Sequence, residues 1–146
     1  METHVNLATA DVLINAPVDK VWDALVNPEK IRKYMFGAEV SSGWKAGDPI
    51  TWKGEWEGKP YEDRGKILKV KPGEVLQYSH YSPVSGDQDF LENYHTITVE
   101  LIPQNERTSV IVTQDNNASI QIREKSEKNW KMMLEAMKNM LEGKSK

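Results

Sequence analysis

The sequence predicts an α+β domain: a curved antiparallel sheet wrapped around a long C-terminal helix, with two short helices after the first strand. Three observations predict it. The first strand breaks at Ala16–Pro17 into short helical segments. The middle of the chain then alternates at period two across short turns, the pattern of antiparallel neighbours. Residues 120–141 carry an apolar stripe at the 3.6-residue spacing of a helix. One face of such a sheet needs cover, and the long helix supplies it.

Each element follows in order. Within Val5–Asn15, the residues Ala10, Val12 and Ile14 recur at period two, which reads as a strand. Pro17 suits the first turn of a helix, where a missing N–H costs nothing, and Val18, Val21, Trp22 and Leu25 follow at helical spacing. Asn27–Pro28 interrupts that helix, because the residue before a proline disfavours the α region. A second short helix, Pro28 to Met35, turns Ile31, Tyr34 and Met35 inward. Ile50, Trp52, Gly54 and Trp56 alternate with polar residues as a half-buried strand. Glu57–Pro60 is a turn. Tyr61 to Val70 is the next strand, with room for a bulge at Ile67–Leu68. Lys71-Pro72-Gly73-Glu74 turns the chain again, and Leu76, Tyr78 and His80 share one face. Ser82–Asn93 reads as a long loop, a length that is often functional in a compact domain. His95, Ile97, Val99 and Leu101 form a strand face. After the turn at Pro103–Arg107, Val110, Val112 and Gln114 form the matching one. In the last helix the stripe is Trp130, Met133, Leu134, Met137 and Leu141; its first turns, Arg123 to Asn129, are polar and lie near solvent, and Gly143 ends it.

Length and composition narrow the function classes. The chain of 146 residues is one domain's worth, residues 1–146, with no repeat or second unit. There is no cysteine, which removes disulfides, thiolate catalysis and cysteine-held metal centres. Nineteen basic against 22 acidic residues give a net charge of −3, the opposite of a nucleic-acid binder's bias. No apolar run approaches the ~20 residues of a membrane span, and the N-terminus carries no secretory signal pattern. A cytoplasmic location is expected.

The segment Val12-Leu-Ile-Asn-Ala-Pro-Val-Asp-Lys-Val-Trp-Asp-Ala-Leu25 resembles the entry segment of the SRPBCC (START-like, helix-grip) superfamily, and Gly65 with Pro72 and Leu76 fits its mid-sheet pattern. More narrowly, Lys33-Tyr-Met-Phe-Gly37, Ile50 to Tyr61, Glu92-Asn-Tyr-His95, Gln114-Asp-Asn-Asn117 and Ser126-Glu-Lys-Asn-Trp130 resemble bacterial single-domain homologues of the C-terminal domain of the heat-shock protein 90 ATPase activator. The resemblance covers nearly the whole chain and implies the helix-grip fold. The superfamily hosts carriers, cyclases and chaperone regulators on one scaffold, so the likeness does not choose among them. The eukaryotic activator has a separate N-terminal chaperone-binding domain for which this sequence has no room. Little or no stimulation of a heat-shock protein 90 ATPase by this protein alone is therefore expected.

Period-two alternation on the strands and the stripe on the helix place Trp52, Trp56, Tyr78, His80, His95, Val99, Gln114, Trp130, Met133 and Met137 toward one cavity between sheet and helix. The aromatics are either plain core or the wall of a small-molecule pocket, with Gly54 leaving space between Trp52 and Trp56. His80 and His95 flank the long loop and face each other if the hairpin is symmetric. They are either hydrogen-bonded interior residues or a polar pair that orients a ligand or assists proton transfer. A metal would need a third ligand, and no His-x-x-x-His or His-Glu-x-x-His spacing occurs, so no metal and no cofactor are expected. Lys131 and Lys138, balanced by nearby glutamates, read as ordinary surface patterning. The leading reading is non-catalytic binding of a small hydrophobic or amphipathic molecule in an internal cavity. The alternative is a chaperone-regulator-like interaction module whose partner is a heat-shock chaperone, and the third is a polyketide-cyclase-like enzyme. No nucleic-acid partner and no membrane span are expected.

Overall fold

The computed structural model describes residues 7–82 and 93–143; the side chain of Trp56 and all but the ends of the loop expected over Ser82–Asn93 lie outside what is described. The element order is β1 (Ala8–Ile14), α1 (Val18–Val26), α2 (Pro28–Tyr34), β2 (Glu39–Ser42), β3 (Pro49–Trp56), β4 (Lys59–Lys71), β5 (Val75–His80), β6 (His95–Gln104), β7 (Arg107–Gln114) and α3 (Ile120–Leu141). The seven strands form one antiparallel sheet in the order β1-β7-β6-β5-β4-β3-β2. The sheet wraps α3, as the helix-grip expectation requires.

Local chemistry explains the boundaries. Pro17 is extended at ψ 159° and starts α1, which buries Val21, Ala24 and Leu25. The Asn27 side chain accepts from the Glu29 N–H at 3.1 Å and Pro28 opens α2, so one dipeptide both ends α1 and caps its successor. The Tyr34 hydroxyl donates to the Ala24 carbonyl at 2.8 Å and fastens α2 to α1. Ser119 caps α3, accepting from the Ile122 N–H, and Gly143 follows its end at φ 76°. The β4–β5 register shifts between Ile67 and Lys69, where the sequence left room for a bulge. β2 received no residues of its own from the sequence. Its four residues give one buried position, Val40, too little for a periodic signal.

The polar face of α3 corrects one expectation. β1 is an edge strand, and its outward backbone groups would be left unpaired. Glu127 accepts from the Thr9 N–H at 3.0 Å, Lys131 donates to the Asp11 carbonyl at 2.6 Å, Lys138 to the Leu13 carbonyl at 2.8 Å, and Glu142 accepts from the Asn15 N–H at 2.8 Å. These four side chains, three on the helix and Glu142 at its C-terminal cap, recur at spacings of four, seven and four residues along one side of the helix. Lys131 and Lys138 are thus ties between α3 and the sheet edge rather than solvated decoration.

Candidate functional site

Residues directly opposite each other in an antiparallel pair share a face. Trp52 lies opposite Asp63, Leu76 opposite Val99, Val99 opposite Val112, Ile97 opposite both Tyr78 and Gln114, and His80 opposite His95. The inner face therefore grades from apolar at Leu76, Val99 and Val112 to polar at Asp63, His80 and His95. Met137 and Leu134 of α3 are buried against its apolar part.

Between sheet and helices lies a narrow apolar void of about 30 Å³. Six of the ten sequence candidates line it: Trp52, Tyr78, Val99, Trp130, Met133 and Met137. His80, His95 and Gln114 are not among its lining residues. The other walls are residues the site reading lacked. Leu25, Ile31, Tyr34 and Met35 come from the two short helices, and Trp44 comes from the β2–β3 connection. The inward spacing of Ile31, Tyr34 and Met35 signalled the first group. Nothing periodic signals Trp44, which sits in the β2–β3 connection at φ 61°, a region bulky residues rarely adopt. The space over Gly54 is not open: a Cβ there would lie 2.8 Å from the Tyr61 hydroxyl, so the opposing tyrosine fills it.

Gln114 is spent elsewhere. Its Oε1 accepts from Trp130 Nε1 at 2.8 Å, and its Nε2 donates to Asn117 Oδ1 at 3.1 Å and Ser126 Oγ at 3.3 Å. Ser126 donates in turn to Asn117 Oδ1. This network, closed around the buried Asn117, fixes the indole of Trp130 at the rim of the void. Asn117 and Ser126 are positioning residues that sequence spacing could not assign.

The two histidines lie side by side, ring centroids 6.2 Å apart. His80 Nε2 is 2.9 Å from Asp63 Oδ2, and the His80 ring meets the Trp52 ring edge-on at 5.1 Å. His95 Nδ1 is 2.8 Å from the Asp115 carbonyl oxygen. Trp52 also packs against Tyr78 at 5.3 Å, so it stands between the void and the polar end. Among the described residues no group of three or more histidines and carboxylates is placed to hold a metal, and no helix is long and apolar enough to cross a membrane.

Burial pushes the Tyr78 phenol well above its ordinary range, and burial with the neighbouring Tyr78 does the same to Tyr34. Both must stay neutral in the fold while the unfolded chain ionises near pH ~10. The unfolded state then binds fewer protons than the native one. Stability is therefore intact below that pH and falls as pH rises through it. The urea midpoint should drop above pH ~10, and Tyr78→Phe should flatten that alkaline limb. An unchanged limb in Tyr78→Phe would show that this burial does not set it.

A sequence model described as activator of Hsp90 ATPase homolog 1-like protein matches residues 15–142. The chain belongs to that family. A solution structure of ChR145 from Cytophaga hutchinsonii is similar at 50% identity over 94% of each chain, with a TM-score of 0.82. The solution structure of the Aha1 dimer from Colwellia psychrerythraea is similar at 19% identity, covering 93% of this chain and 96% of that one, with a TM-score of 0.72. CalU16 from Micromonospora echinospora shares 18% identity over 96% of this chain and 84% of that one, with a TM-score of 0.73. At those lower identities the likeness is one of fold. No curated protein matches the sequence.

Proposed function

We propose that this domain binds a small apolar or amphipathic molecule between sheet and helix, entering through a mouth that opens on binding. The observation that carries the reading is the makeup of the void's rim. Met35, Trp44, Trp130 and Met133 line it while remaining half-buried, whereas most of the other walls are buried. Methionines repack readily around irregular apolar guests. Trp44 holds a positive φ, the kind of backbone strain that collects at clamps and switches. The void of about 30 Å³ is far below the ~300–1,000 Å³ of a small-molecule pocket, so binding must enlarge it. The helices on the mouth side, α2 and α3, supply the moving parts.

The small volume also favours a second reading, an interaction module of the chaperone-regulator kind acting through its surface, consistent with the family. The two part in one experiment. A binder's melting temperature rises saturably with an apolar guest, since ligand at a hundred times its dissociation constant adds ~2.7 kcal/mol. Met133→Trp, which fills the mouth, should abolish that rise while the protein still melts cooperatively. An interaction module shows no rise with any guest and instead stimulates, or binds saturably, a heat-shock protein 90 chaperone.

A further inference from the structure

Among the described residues, the polar end of the inner face holds one buried hydrogen-bond acceptor that no donor meets, with two imidazoles beside it. Asp63 Oδ2 takes the His80 Nε2 bond, while Asp63 Oδ1 is buried with no hydrogen-bond partner. A carboxylate oxygen can only accept, so His80 Nε2 carries the proton and neutral His80 presents a bare lone pair at Nδ1. The Asp115 carbonyl oxygen likewise fixes the proton of His95 on Nδ1 and leaves Nε2 as an acceptor. Neither of those two nitrogens has a partner among the described residues. The Asp63 and His80 side chains are only 15% and 23% exposed, so water reaches them poorly. A buried acceptor such as Asp63 Oδ1 without a donor costs free energy and asks for a reason. The nearest neighbours do not supply one. Tyr61, on the same face of β4 as Asp63, has its phenol pushed up by burial and by the Asp63 charge, and the Asp63 oxygen stays unmet.

We propose that Asp63, His80 and His95 form the head-group site for the molecule bound in the cavity, and that the head is a hydrogen-bond donor of the ammonium or amine class. The proposal rests on the binding reading above and adds the ligand's chemistry to it. An ammonium has three donors and no acceptor, the complement of what the site offers. Its charge is matched by the Asp63 carboxylate. A carboxylate head would set its lone pairs and charge against Asp63 and both imidazoles. The apolar tail reaches Tyr78, Leu76 and Val99 as Trp52, which stands between the polar end and the void, turns aside.

The test titrates the full chain with decylammonium, decanol and decanoate below their micelle-forming concentrations, at a pH where nitrogen shifts show both imidazoles neutral. Decylammonium should bind more tightly than decanoate by a factor of about ten or more, the worth of one charge-assisted hydrogen bond. It should also move the His80 and His95 ring resonances. Asp63→Asn should remove that preference. Decanoate binding as well as decylammonium, or a preference that survives in Asp63→Asn, overturns the head-group proposal and leaves the cavity standing if decanol binds. If none of the three probes binds, cavity and head-group site fall together. The ratio measured on the unaltered protein decides the matter even if the variant does not fold.

Discussion

Gly65→Ala is expected to cost more than about 4 kcal/mol, the range reserved for outright structural conflict. Gly65 lies in β4 where the strand passes closest to β5. A Cβ there would overlap the Ser79 carbonyl oxygen, with the Ser79 carbonyl carbon at 2.6 Å and His80 Cα at 3.3 Å. All three atoms are backbone, so no rotamer change relieves the clash. The strands must separate around the Arg64–Tyr81 bridge, which carries two backbone hydrogen bonds of 2.8 and 2.9 Å. The same approach brings Asp63 to His80, so whatever survives of the fold should lose that contact. Circular dichroism in a urea series reads the result. A midpoint close to that of the parent would mean that β4 and β5 do not approach as described.

Removal of residues 120–146 should be still more damaging. α3 contributes the buried Leu134 and Met137 to the core and covers the inner face of the sheet. Losing a single such side chain typically costs about 2–5 kcal/mol, comparable to much of a domain's total stability. The deletion also strips β1 of Glu127, Lys131, Lys138 and Glu142, leaving an unguarded edge. The expected product is insoluble, or compact with native-like far-ultraviolet signal and no cooperative melt. A truncated chain that melts cooperatively near the full-length temperature would contradict the account of what closes the core.

How much of this was legible in the sequence depends on the physical range of each signal. The course of α3 follows from local pattern alone, because its stripe runs through successive turns and Gly143 stands at its end. The facing of His80 and His95 also follows, from period-two alternation on either side of one hairpin. β2 was illegible because one buried valine makes no period. The roles of Lys131 and Lys138 were illegible because a helix's polar face looks the same whether it meets water or a strand edge. Only tertiary placement brings Lys138 to Leu13, 125 residues earlier in the chain. The same limit hid Trp44, placed by the β2–β3 connection, and Asp63, whose importance lies in a bond to His80 across two strands. Gln114 shows the complementary error: its side is legible, but not that its amide is committed to Trp130 and Asn117.

The central claim is that the space between sheet and helix opens to take a guest. Methyl-labelled methionine spectra recorded during a decanol titration test it most directly, because Met133 and Met137 line the void while Met132 is exposed on the same helix. The account predicts that the Met133 and Met137 methyl signals shift saturably with one shared dissociation constant and show contacts to the guest's chain, while Met132 stays in place. Shifts confined to Met132 and other exposed groups, or none at any concentration short of micelle formation, would contradict it.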